Sequence, residues 1–211
     1  MPSSTSLVYS PPDSGQLRDS VVLRGPVARF TDAEFYELCQ ENPQLQLERD
    51  ASHNLVITPP AHPDASEEGS EVNYQLRHWS RTRGLDAGHT YESSAGFKLT
   101  SGAIRAADVA WLSRAARAVA QQAGGFLAVC PEFVVEIRSP SDRLAPLQAK
   151  TEEFLANGTQ LGFLLDVGAE MAYVYRPGQP VETVRGYGQA LSGEPVLPGF
   201  RLDLGPLRRP S

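Results

Sequence analysis

PEFVVEIRSPSD, Pro131 to Asp142, sets one carboxylate in the middle of an apolar, β-branched run. Phe133, Val134, Val135 and Ile137 read as a half-buried or buried strand that carries Glu136 inside it. An ionised carboxylate is almost never fully buried without a partner, because removing it from water costs on the order of several kcal/mol. Glu136 therefore calls for a cation. A second acid, Asp108, lies in a similar apolar context in AADVAWL, and Lys150 follows on the next helix. Two buried acids and one lysine are what metal-assisted cleavage of a phosphodiester requires.

Outward from this strand, the pattern alternates between the two periods of secondary structure. Asp142 to Asn157 reads as a helix with Leu144, Leu147, Thr151, Phe154 and Leu155 on one face, ending at Gly158. LGFLLDV and MAYVYRPG form a hairpin, and SGEPVLPGF carries short extended pieces. On the N-terminal side, GFKL and AIRAADVAWL are strands joined by a turn at Thr100-Ser-Gly102, and Ala115 to Gln122 is a short helix. Ser66 to Arg83 is a helix with Val72, Leu76 and Trp79 on one stripe and Gly84 just past its end. LQLER and NLVIT make a hairpin, and Thr31 to Gln40 is a helix opened by the capping box Thr31-x-x-Glu34. The prolines at 59, 60 and 63 break the chain. An opening helix followed by strands, a helix and a further strand indicates one α+β domain with a mixed sheet flanked by helices. Residues 1–25, rich in Ser, Pro and Gly, are expected to be a flexible extension; 26–205 form the domain and 206–211 a tail.

Composition narrows the class. At 211 residues and 41% hydrophobic, the chain can build one sizeable core. Cys39 and Cys130 stand alone without CxxC spacing, which argues against a disulfide framework or zinc site and suits a reducing cytoplasmic setting. The four histidines show no ligand spacing, and no apolar run approaches the ~18 residues of a membrane span. A net charge of −6 is unusual for a nucleic-acid binder, yet a local basic patch acts within a Debye length of ~8–10 Å. Arg77, Arg81 and Arg83 cluster on one helix, and Arg105, Arg138 and Arg143 flank the acids.

Strand alternation places Asp108 with Ala110 and Leu112, and Glu136 with Val134 and Arg138. On neighbouring strands the two carboxylates converge on one divalent ion. Mg²⁺ and Mn²⁺ prefer hard oxygen ligands, and the backbone carbonyl of Ile137 is the natural third. Lys150 projects from the edge of its helix's apolar face, where its stem covers apolar surface and its ammonium reaches the acids. Its expected role is to orient the attacking water or stabilise the charged transition state. Each residue also has a purely structural explanation. Asp108 could pair with Arg105 or cap a turn, Glu136 could pair with Arg138 or Arg143, and Lys150 could be solvated.

SSAGFKLTSGAIRAADVAWLSR, CPEFVVEIRSPSDRLAPLQAKTEEFLANGTQLGFLLDV and VYRPG together resemble the putative restriction endonuclease family, a group of unknown function within the PD-(D/E)xK nuclease superfamily. The likeness runs from about Phe30 to Leu204. It implies a restriction endonuclease-like fold, Mg²⁺ or Mn²⁺ as cofactor, DNA as substrate and a homodimer. The family's acid of the P-D pair falls on Asp108 and its strand glutamate on Glu136. The superfamily lysine two residues further on is Arg138 here, so the resemblance moves the lysine to Lys150. An early acid of the family falls on Glu48, which would complete the metal shell. Ala107 stands where the family has proline.

Two other classes stay open at this stage. A catalytically silent nuclease fold, used to bind DNA or protein, accords with the acidic charge and the absent E-x-K lysine. A two-carboxylate glycosidase would need a metal-independent, aromatic-lined cleft, and only the paired acids speak for it.

Overall fold

The computed structural model describes residues 21–24, 30–58, 62–82 and 87–208. In chain order the elements are β1 (Val21–Leu23), α1 (Asp32–Glu41), β2 (Gln46–Arg49), β3 (Leu55–Thr58) and α2 (Pro63–Thr82). They continue with β4 (Gly88–Glu92), β5 (Phe97–Lys98), β6 (Ile104–Arg105), β7 (Val109–Ser113), α3 (Arg114–Val119), β8 (Gln121–Ala123) and β9 (Phe126–Ala128). The remainder is β10 (Phe133–Ile137), α4 (Leu144–Ala156), β11 (Leu161–Asp166), β12 (Met171–Tyr175), β13 (Glu182–Arg185), β14 (Ala190–Ser192) and β15 (Arg201–Asp203).

Among the described residues the strands form two large sheets and one small one. The first runs β1-β3-β2-β6-β5-β9-β8, the second β13-β12-β11-β10-β7-β4, and β14 pairs with β15. The second sheet is mixed. β10 and β11 run parallel, and their neighbours β7 and β12 are antiparallel. Parallel strands cannot be joined by a tight turn, and α4 supplies the crossover.

Helices cover both faces of this sheet. Val72, Leu76 and Trp79 of α2 pack with Val109, Trp111, Phe133, Val135 and Ile137. On the other face Phe154 of α4 packs with Val134, Ala110 and Leu112. Every residue of β10 and β11 is therefore buried, which is why both strands read as continuous apolar runs rather than alternating ones. Gly162 of β11 shows how closely α4 approaches: a Cβ there would lie 2.9 Å from Thr151 Cγ2. A smaller core of Phe35, Leu55, Ile104 and Phe126 holds α1 to the first sheet.

Several expectations shift. The capping box at Thr31 and Glu34 is present, with the helix beginning at Asp32. Pro63 does not break the chain but starts α2, where its fixed φ and missing N–H cost nothing. Gly84 and Arg83 lie outside the described residues. The helix after SPSD starts at Leu144, because Asp142 spends its carboxylate on the Ser139 N–H and leaves the N-cap position to Arg143, whose side chain does not cap the helix. The short helix ends at Val119, and Gln121–Ala123 becomes β8. Val21–Leu23, read as part of the extension, pairs with β3, and Leu207 near the C-terminus is buried in the main core. The main correction concerns AIRAADVAWL. It is not one strand: β6 belongs to the first sheet and β7 to the second, with Ala106–Asp108 crossing between them. Asp108 thus lies off the strand, so strand alternation does not set its face.

Candidate active site

Glu136 points to the α4 face, as its even-numbered neighbour Val134 does. Only 1% of its surface is exposed. Lys150, in the second turn of α4, donates to Glu136 Oε2 at 3.1 Å and lies 3.3 Å from Glu48 Oε1. The crossover explains the meeting: α4 must lie across β10 and β11, so its inward edge passes over the strand carboxylate.

Asp108 arrives from the chain crossing between the sheets. Its Oδ2 accepts the Ile137 N–H at 2.7 Å, which ties the crossing to the end of β10 just beyond the last β7–β10 pair. Arg138 N–H donates to Leu165 O on the opposite side, in β11. Successive strand residues turn their backbone groups to opposite sides, so Ile137 directs its N–H and its carbonyl toward Asp108.

Glu48 of β2 closes the cluster from the first sheet. Its Oε1 accepts the Ala106 N–H at 2.8 Å, and its Oε2 lies 3.2 Å from Arg105 Nη1. Arg105 also donates to Glu153 at 2.7 Å. Glu153 lies three residues after Lys150, on the same side of α4. Neither Arg105 nor Glu153 was singled out from sequence as part of the site. The three-residue spacing of Glu153 from Lys150 puts it on the helix face that meets the site.

The electrostatics follow from burial and neighbours. Burial, with Asp108 and Glu48 nearby, pushes the Glu136 carboxyl up to about 8 despite Lys150. Burial also raises Asp108, helped by Glu48 and Asp142 and opposed by Lys150 and the Ile137 N–H. Glu48 goes the other way: burial is outweighed by Lys150, Arg105 and the Ala106 N–H, which hold it below the usual range. Burial works against the Lys150 charge, but Glu136, Glu48 and Asp108 overcome it and raise its pKa. Lys150 is thus a fixed ammonium, a donor and not a base.

The structure brings Glu48, Asp108, Glu136, Ile137 and Lys150 into one cluster. It gives Arg138 a different place. Its Nη1 lies 2.6 Å from Asp166 and its Nε donates to the Asp142 carbonyl, so it pins the loop after β10. Asp108 does not pair with Arg105, and Glu136 pairs with Lys150 instead of Arg138. Trp111, Phe163 and Tyr175 are buried, and Tyr173 is half-buried.

As to a metal, the donor chemistry fits a hard cation. Glu136 Oε1 is buried without a hydrogen-bond partner, and the neighbouring Asp108 carboxylate and the Ile137 carbonyl are oxygen donors. Among the described residues, however, no group of three or more His, Cys, Asp or Glu side chains is arranged to hold a metal. Lys150 stands between Glu48 and Glu136, and the two oxygens of Glu48 are already engaged.

Comparison with known proteins gives first the fold. The chain is similar to a crystal structure described as a putative nuclease belonging to DUF820 from Anabaena variabilis, with a TM-score of 0.70 at 17% identity. That likeness covers 85% of this chain and 97% of the other. The architecture is thus a mixed α+β, nuclease-type fold. The family follows from sequence: residues 32–205 match the model of Uma2, described as putative restriction endonuclease, and the chain belongs to that family. No curated protein matches. Among the described residues no helix is long and apolar enough to cross a membrane.

Proposed function

We propose that the chain is a Mg²⁺- or Mn²⁺-dependent nuclease that hydrolyses DNA phosphodiester bonds. One observation carries this: a buried carboxylate, Glu136, a half-buried one, Asp108, and one charged lysine meet where a strand end and a chain crossing come together, with Glu136 Oε1 unpartnered. Burying such a set is costly unless something cationic completes it. Family membership supports the reading.

Asp108, Glu136 and the Ile137 carbonyl would hold the ion, which when bound supplies Lewis acidity toward a phosphoryl oxygen and an acidified water. The Ile137 N–H fixes the Asp108 carboxylate. Lys150 donates hydrogen bonds toward the anionic charge that grows on a phosphoryl group under attack, without giving up its proton. Glu48, Arg105 and Glu153 hold Lys150 and α4 in place.

The test is calorimetric titration of Mn²⁺ into the wild type and an Asp108→Asn/Glu136→Gln double variant, followed by cleavage of plasmid DNA. Binding and cleavage that the double variant loses are the expected result. Metal-dependent cleavage that survives unchanged in a folded Glu136→Ala variant would falsify the assignment. A second reading, a module that binds DNA or protein without cutting, is favoured by the engaged state of Glu48 and Lys150. It predicts DNA affinity that falls steeply with salt and no metal-dependent strand loss.

A further inference from the structure

A second site lies on the far end of the same sheet. Among the described residues β4 is an edge strand, paired on one side with β7, and α2 runs above it. Between them is a pocket of about 210 Å³, lined by Arg77, Ser80 and Arg81 of α2 and by residues 88–91 of β4. Asp108 precedes Val109, which pairs with Glu92, whereas the pocket is at Gly88, opposite Ser113. The lining starts four residues of strand from that pair, ~13 Å at the strand rise, and ends one residue from it at Tyr91.

Among the described residues the lining offers donors and no carboxylate. Arg77 and Arg81 are four residues apart, so they share one helix face. Both are exposed, and among the described residues neither makes an ion pair. Unpaired arginines directed at a common concavity are the side chains best suited to phosphate, which they bind through parallel N–H bonds. Thr90 adds a hydroxyl, that of Ser80 being turned to the Gly88 carbonyl, and an edge strand leaves half of its backbone groups free of the sheet.

An independent observation sits beneath. Trp111 is 4% exposed and its Nε1 is buried with no hydrogen-bond partner. Ring atom Cε2, bonded to that nitrogen, lies so close to Gly88 that a Cβ there would come within 2.7 Å. Trp111 pairs with Thr90 across the strands, so the two side chains share a face. An orphan donor thus lies against the backbone that lines the pocket. The space far exceeds the ~30 Å³ share of one water.

We propose that this pocket binds a phosphate group, held by Arg77 and Arg81. The site is separate from the carboxylate cluster and does not depend on cleavage. Its phosphate could belong to a nucleic-acid backbone or to a small phosphoanion, and the experiment separates the two.

The chain has two tryptophans, so ¹⁵N-labelled protein shows two indole N–H resonances. Trp79 Nε1 already donates to the Pro198 carbonyl at 3.3 Å and serves as the internal control. Inorganic phosphate titrated at constant ionic strength in EDTA should shift the Trp111 resonance saturably, with Kd on the order of 1 mM. Arg77→Ala/Arg81→Ala, at exposed positions, should weaken that binding about tenfold or more, whereas Asp108→Asn/Glu136→Gln should leave it unchanged. If a short single-stranded oligonucleotide shifts the same resonance at lower concentration, the phosphate is a backbone one; if inorganic phosphate alone does so, it is a small phosphoanion. No saturable shift with either, or an identical shift in the double-arginine variant, overturns the site.

Discussion

At the scale of single residues, the cluster is a contest between burial and charge. Glu136 and Lys150 form a contact of 3.1 Å in a place where neither charge is tolerated alone. Lys150→Ala leaves Glu136, Glu48 and Asp108 facing one another without their shared cation, and should cost about 3–5 kcal/mol. Glu136→Gln removes a carboxylate already driven toward its neutral form, and should cost less than about 1 kcal/mol or even stabilise the metal-free protein. Urea denaturation of both single variants and the double gives the coupling directly. Equal losses in the two single variants would mean that packing, not charge, governs the pair. That a glutamate in FVVEI needed a cation was legible in the sequence, because burial cost is a local property. That Arg105 would bridge Glu48 and Glu153 was not, since three elements from two sheets define that contact.

At the scale of elements, α4 is positioned by a close approach to β11 at Gly162. Gly162 leaves room for Thr151, the residue after Lys150. Gly162→Ala would drive a methyl into Thr151 Cγ2, and overpacking of this kind costs about 1–3 kcal/mol. Thermal unfolding should show that loss, and restoring room with Thr151→Ser should recover part of it. No recovery would place the strain elsewhere. The first sheet depends on a different device. Asp32, in the first turn of α1, takes hydrogen bonds from Arg49 and Lys98. Arg49 also donates to the Phe30 and Gly102 carbonyls. Burial of Asp32 opposes its charge, but Lys98 and Arg49 outweigh it and keep its carboxyl below the usual range. A lowered folded pKa contributes stability that is complete above the unfolded value, about 3.9, and is lost as pH falls through the folded one. The stability gap between wild type and Asp32→Asn should therefore be constant near neutrality and shrink below about pH 4. A gap that widens on acidification would contradict the ion cluster. Helix α1 itself was legible through its capping box, because the four residues involved are contiguous. Its tie to β2 and β5 was not.

At the scale of the whole molecule, the candidate site lies where the two sheets exchange a chain. The larger helices and the strands β10, β11 and β12 were readable from periodicity, whereas β4, β9 and β13 and the parallel pairing of β10 with β11 were not. The break of AIRAADVAWL at Ala106–Asp108 was not readable, because a run of small apolar residues serves equally as strand or as passage between sheets. The consequence is an unequal partition of stability. β10 and β11 are buried on both faces between α2 and α4, whereas β2 and β6 pair through a single Cα register, Arg49 with Ile104. Elements with fewer buried contacts open at lower free energy than the core. Native-state hydrogen exchange should therefore show β10 and β11 amides exchanging only by global unfolding, and β2 and β6 amides by smaller openings. Arg49→Ala, which removes a fully enclosed guanidinium and leaves Asp32 with Lys98 alone, should speed exchange in β2 and β6 while leaving β10 and β11 at the global limit. Because Glu48 hangs from β2 and contacts Lys150, these openings also detach one wall of the carboxylate cluster. Uniform protection across both sheets, changed equally by Arg49→Ala, would mean that the molecule opens as one unit and that the first sheet cannot move independently of the site.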